Sequence, residues 1–155
     1  MHLRLLAALA ALVSTSPLTA QSGASSVDPR FATPLSGSWT YSVTAGATQA
    51  AFVASGSLPQ LALKCSRPTR QVWISKPSAG PVAQLSVWTS EMTRNLAASF
   101  DASSGQVMAV LTAYDPLLDA LALSRARIAV TVPGAPPLVL PSAPEVTRII
   151  EDCRS

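Results

Sequence analysis

The stretch Leu140–Arg154, LPSAPEVTRIIEDCR, carries the start signal, the apolar face and the covalent anchor of a terminal helix. Ser142 has the hydroxyl of a good N-cap. Glu145, three residues on, can reach back to the Ser142 amide and complete a capping box. Pro144 falls in the first turn, where a missing N–H costs nothing. Val146, Ile149, Ile150 and Cys153 recur at i, i+3, i+4 and i+7, so one face is apolar. Arg148, Glu151 and Asp152 take the other face, with Arg148 and Asp152 spaced as an i,i+4 pair. Cys153 therefore points at the body of the protein.

The chain has 2 cysteines. The other is Cys65, at the end of Leu61-Ala62-Leu63-Lys64-Cys65, where Leu61, Leu63 and Cys65 share one strand face and Lys64 takes the opposite one. Two inward-facing cysteines predict a Cys65–Cys153 disulfide that staples the last helix to a β-body. It closes a loop of roughly 88 residues, which in the chain-entropy model stabilises the fold by about 4–5 kcal/mol. That is a large share of the roughly 5–15 kcal/mol a domain has in total.

Outward from those anchors the chain reads as short strands punctuated by turns. Trp39, Tyr41 and Val43 alternate, Ala45-Gly46 turns, and Gln49–Ser55 returns. Gln71–Ser75 and Leu85–Thr89 flank the turn-rich Lys76–Pro81, and a register centred on that turn would set Trp73 beside Trp88. Asn95–Phe100 and Val107–Ala113 read as a hairpin across Asp101–Gly105. Asp115 then caps a short helix with Pro116 at its first position. Arg127–Val132 alternates again, Pro133-Gly134 turns, and Leu138–Leu140 is a last short strand. Short strands at this spacing predict a mainly β, α+β fold: an antiparallel β-sandwich with two short helices, the last one stapled to the sheet.

At 155 residues there is room for one domain. Met1–Arg4 is a short positive segment, Leu5–Val13 is an apolar run too short to span a bilayer, and Leu18-Thr19-Ala20 ends a polar region. Residues 1–20 are accordingly expected to be a signal peptide, 21–37 a flexible Ser/Pro/Gly-rich lead-in, and 38–155 the folded domain. The expected location is periplasmic or secreted, where a disulfide persists. Eleven Lys and Arg against eight Asp and Glu leave a net charge of +3. No basic run reaches the density of a nucleic-acid patch, and no later apolar run predicts membrane insertion.

Removal of the signal removes the single histidine, His2. A Ser–His–Asp arrangement, a His-ligated metal and a His base are then excluded for the mature chain. Thiol chemistry fails if Cys65 and Cys153 are bonded. No cofactor or metal is expected. Asp115 and Asp119 are the best carboxylate pair for a hydrolase, although both also suit the first turn of a helix as cap and dipole partner. Lys64, Arg67 and Arg70, with Lys76 near them, are the one basic concentration. They can serve as an anion or glycan site or as ordinary charge around a turn. Arg125 and Arg127 could pair with Asp115 or Asp119. Trp39, Trp73 and Trp88 suit either cross-strand packing or a binding surface, and Trp73 and Trp88 lie on the strand face opposite Val72, Ile74 and Val87.

The order of features resembles small exported bacterial β-sandwich proteins: a signal peptide, an early strand tryptophan (Trp39), Leu61–Cys65, Val72-Trp73-Ile74, a Val-x-Thr-Ser strand (Val87, Thr89, Ser90) and a closing helix with the second cysteine. It is similar to the periplasmic accessory proteins of type VI secretion and, more distantly, to invasion-associated locus B proteins, whose early-strand cysteine it lacks. Asp115–Arg125, Pro144-Glu145-Val146 and Glu151–Arg154 also look like uncharacterised proteins of Alphaproteobacteria. The resemblance implies a compartment and a fold, and no catalytic residues travel with it. The expectation is a non-enzymatic binding or accessory module of the envelope with an unidentified partner. The alternatives are an anion- or glycan-binding module using Lys64, Arg67, Arg70, Trp73 and Trp88, and a carboxylate-dependent hydrolase.

Overall fold

The computed structural model describes residues 27–56 and 58–155, so the expected signal peptide lies outside the described residues. Ten strands and two helices follow in the order β1 (Ser38–Thr44), β2 (Ala47–Val53), β3 (Pro59–Ser66), β4 (Gln71–Pro77), β5 (Gln84–Trp88), β6 (Thr93–Ala97), β7 (Ser99–Asp101), β8 (Gln106–Thr112), α1 (Pro116–Ala122), β9 (Arg127–Thr131), β10 (Leu138–Pro141) and α2 (Pro144–Arg154). One sheet has six strands in the order β1-β2-β3-β4-β8-β7, and the other has four in the order β10-β9-β5-β6. All neighbours are antiparallel.

The core lies where the inner faces meet. Phe52, Leu61, Leu63, Val72, Ile74 and Val107 from the larger sheet and Leu85, Val87, Ile128 and Leu140 from the smaller are all buried. The smaller sheet leaves part of its partner's inner face open, and α2 fills that place against β1, β2, β3 and β4. The i, i+3, i+4, i+7 spacing puts Val146, Ile149, Ile150 and Cys153 into the core, as the sequence predicts. Cys65 and Cys153 are disulfide-bonded with Cα atoms 5.5 Å apart. Asp115 caps α1, accepting from the Leu117 amide at 2.9 Å.

The predicted capping box of α2 does not form. Ala143 occupies the N-cap with no side-chain hydrogen bond. The Ser142 amide instead donates to the Ala126 carbonyl at 3.2 Å, extending the β9–β10 ladder by one residue, so the helix starts later. Arg148 and Asp152 do not pair with each other either. Both grip β1: the Tyr41 hydroxyl donates to Asp152 Oδ2 at 2.7 Å, and the Arg148 guanidinium stacks 3.9 Å from the Tyr41 ring centroid.

Of two hairpins read from the sequence, the one across Asp101–Gly105 forms with a shorter first strand, Ser99–Asp101, and the other does not form. Both edges of β4 are taken, by β3 and β8, so β5 crosses to the other sheet and Trp73 and Trp88 are not neighbours. Two prolines, Pro77 and Pro81, make the connector unsuited to a tight hairpin. Asn95–Phe100 is likewise two strands. The chain changes sheets at Ala98, whose amide donates to the Ala83 carbonyl at 2.9 Å. Leu96 faces inward in one sheet, while Phe100 packs against the core from the other.

Within the lead-in, residues 27–37 are described and lie against the smaller sheet. The Leu35 amide donates to the Val139 carbonyl at 2.8 Å. The Arg127 guanidinium donates to the Arg30 and Ala32 carbonyls at 2.9 and 2.6 Å.

Candidate functional site

The outer face of the six-stranded sheet is built by strand alternation. Across β2, β3, β4 and β8 the register aligns Gln49, Lys64, Trp73 and Val110 in one row. The next row is Ala51, Ala62, Ser75 and Met108. These residues point away from the core because their chain neighbours, such as Leu63, Val72 and Ile74, point into it. Gln49, Lys64, Trp73, Ser75 and Met108 of these rows line a depression of about 580 Å³, bounded at one end by the Ala45-Gly46 turn and Pro68. That size is in the range of small-molecule and oligomer sites.

Trp73 is half-buried on this face and Lys64 is exposed beside it. Among the described residues, Lys64 is the only charged side chain lining the groove. Two amides, Gln49 and Gln106, and two hydroxyls, Ser66 and Ser75, supply further polar groups. Each amide both donates and accepts, as does each hydroxyl. Among the described residues, neither Lys64 nor Arg67 nor Arg70 takes part in an ion pair.

The structure brings together part of the sequence-predicted surface. Lys64 and Trp73 are cross-strand partners. Arg67 and Arg70 stand exposed in the β3–β4 turn, whose Ser66 and Pro68 line the groove, so they flank its end without lining it. Lys76 belongs to the other face: its partner is the buried Val107, and burial pushes its ammonium down from the usual lysine range. Trp88 lies on the outer face of the smaller sheet. It lines a separate cavity of about 520 Å³ with Val27, Pro29, Pro136 and Pro137. Trp39 is a core residue, donating from its indole nitrogen to the Pro141 carbonyl at 2.9 Å and meeting Phe52 edge-on at 5.6 Å. Sequence reasoning missed Gln49, Ser75, Gln106 and Met108 as groove residues. Their alternation placed them outward, but the adjacency of β8 to β4 has no local signal.

The carboxylates are engaged elsewhere. Asp115 accepts from both terminal nitrogens of Arg94, each at 2.7 Å, and this pairing holds its carboxyl below the usual carboxylate range. Asp119 pairs with Arg154 at 2.8 Å and its side chain is 55% exposed. Their partners are thus Arg94 and Arg154 in place of Arg125 and Arg127. The arginine on Asp115 favours its charged form, the opposite of what a general acid needs, and Asp119 is exposed to water. Among the described residues, no three His, Cys, Asp or Glu side chains cluster as a metal site, and no helix is long and apolar enough to cross a membrane. No protein-family model, curated protein or solved structure matches this chain.

Proposed function

We propose that this protein is an exported, non-enzymatic binding module of the cell envelope, periplasmic or secreted, and that its recognition surface is the groove on the outer face of the six-stranded sheet. The observation that carries the reading is the Lys64–Trp73 pair in a groove of about 580 Å³. A half-buried indole offers a broad contact surface at low entropic cost. A cation without an ionic partner beside it is available to a ligand. The disulfide supports an oxidising compartment, and the engagement of Asp115 and Asp119 with arginines supports a binding role over a hydrolytic one.

The test is affinity capture from envelope and culture fractions, using tagged protein recovered from its producing cell. Wild type is compared with Trp73→Ala and Trp88→Ala, each checked for an intact disulfide and a cooperative melt. A saturable ligand retained by Trp88→Ala and lost by Trp73→Ala is expected. A ligand lost only in Trp88→Ala would move the site to the smaller sheet.

A further inference from the structure

Resting on the groove as the recognition surface, we infer that its ligand is an acidic glycan, a chain of sugar units bearing carboxylates. The lining chemistry selects that class. Trp73 provides the aromatic face on which the C–H surface of a pyranose stacks. Gln49 and Gln106 carry amides that both donate and accept, matching sugar hydroxyls, which do the same. Among the described residues Lys64 is the only charged one lining the groove and no carboxylate lines it, so the field there favours an anion. Its ammonium is a compact point charge that meets a single carboxylate without demanding a planar, two-toothed geometry. Arg67 and Arg70, exposed in the turn at the Pro68 end of the groove, add to the positive field there. Arg70 sits at φ 49°, a left-handed conformation in which glycine or asparagine is less strained, so a guanidinium is held in that turn against local preference.

Other ligand classes fit less well. A protein partner selects a core of several clustered apolar and aromatic anchors. This groove has one tryptophan and one methionine among alanines, serines and amides. An isolated phosphate or sulfate is held by convergent amides or paired guanidinia, and here a single ammonium lines the site. Away from the Ala45-Gly46 and Pro68 end the groove lies on an open sheet face, so a polymer seated in it can continue on that side.

The test is titration calorimetry of the exported protein with polygalacturonate and hyaluronate oligomers, and with neutral cello-oligosaccharides of matched length, at low and high salt. The acidic oligomers are expected to bind more tightly than the neutral ones. Trp73→Ala, or Trp73→Thr as a strand-compatible second variant, should weaken binding about tenfold or more. Lys64→Gln should weaken it about two- to fivefold and flatten the salt dependence, as for a solvent-exposed charge pair. Trp88→Ala should bind as wild type does. Equal binding of neutral and acidic oligomers, or no effect of Lys64→Gln, would overturn the acidic assignment. Absence of glycan binding, with capture from cell fractions still lost in Trp73→Ala, would overturn the glycan and leave the groove as a protein-binding surface. Absence of both would overturn the groove itself.

Discussion

Replacing both cysteines, Cys65→Ala with Cys153→Ala, tests what holds the last helix in place. The bond joins residues 88 apart in sequence, and in the chain-entropy model a loop of that length stabilises by about 4–5 kcal/mol. Both sulfurs are fully buried, and the space they leave adds roughly 1 kcal/mol. A total near 5 kcal/mol corresponds, in a domain of this size, to a melting midpoint lower by about 15 °C. The loss is not spread evenly. With 11 residues α2 is too short to persist alone, so without the staple it relies on Val146, Ile149 and Ile150 and on the Tyr41–Asp152 bond. Urea unfolding of oxidised wild type against the double variant measures the total, and native-state hydrogen exchange locates it. The expected result is a much lower midpoint, with the α2 amides exchanging before those of β3 and β4. A loss below about 1 kcal/mol with α2 still protected would refute the staple as the source of the domain's stability.

Thr48 is 1% exposed and its Oγ1 is buried without a hydrogen-bond partner among the described residues, so Thr48→Val should raise stability by about 1 kcal/mol in urea unfolding. Asp115→Asn keeps a capping oxygen and loses the Arg94 ion pair, and should cost about 1–2 kcal/mol near neutral pH. Because Arg94 holds the folded Asp115 carboxyl below its ordinary value, its contribution is complete above the unfolded pKa near 4 and fades as pH falls through the folded one. The stability curves of wild type and Asp115→Asn should therefore converge in acid, and a constant gap down to acid unfolding would contradict the pairing. At Gly37 an added Cβ would fall against the Val53 carbonyl oxygen and 2.7 Å from the Phe52 ring, so Gly37→Ala should cost about 1–3 kcal/mol, whereas Gly80→Ala, which meets nothing within 4 Å, should be close to neutral in the same thermal assay.

What the chain disclosed locally is what its periodicities encode. The apolar face of α2 needs only i, i+3 and i+4 spacing, and the inward direction of Cys65 needs only alternation, so the disulfide was legible from two short stretches. The Lys64–Trp73 half of the site was legible for the same reason, since β3 and β4 are consecutive and joined by a short turn. Alternation tells which face a side chain takes but not which strand lies beside it. Nothing around Trp73 shows that β8 is its neighbour, and nothing around Trp88 shows that β5 has crossed to the other sheet. The sheet change at Ala98 carries no glycine or proline to mark it. The Ser142–Glu145 motif misled because the Ser142 amide was claimed by the Ala126 carbonyl, a contact set by the β9–β10 pairing and invisible in the motif.

The central claim is that ligand reaches the outer face of the six-stranded sheet. Its most direct test is site-specific photocrosslinking in the living cell, with the photoreactive side chain at Met108 in the groove or at Thr131 beside Trp88 on the other sheet. A discrete adduct is expected from Met108, abolished by Trp73→Ala, and none from Thr131. Adducts from Thr131 alone would contradict it and place recognition on the smaller sheet.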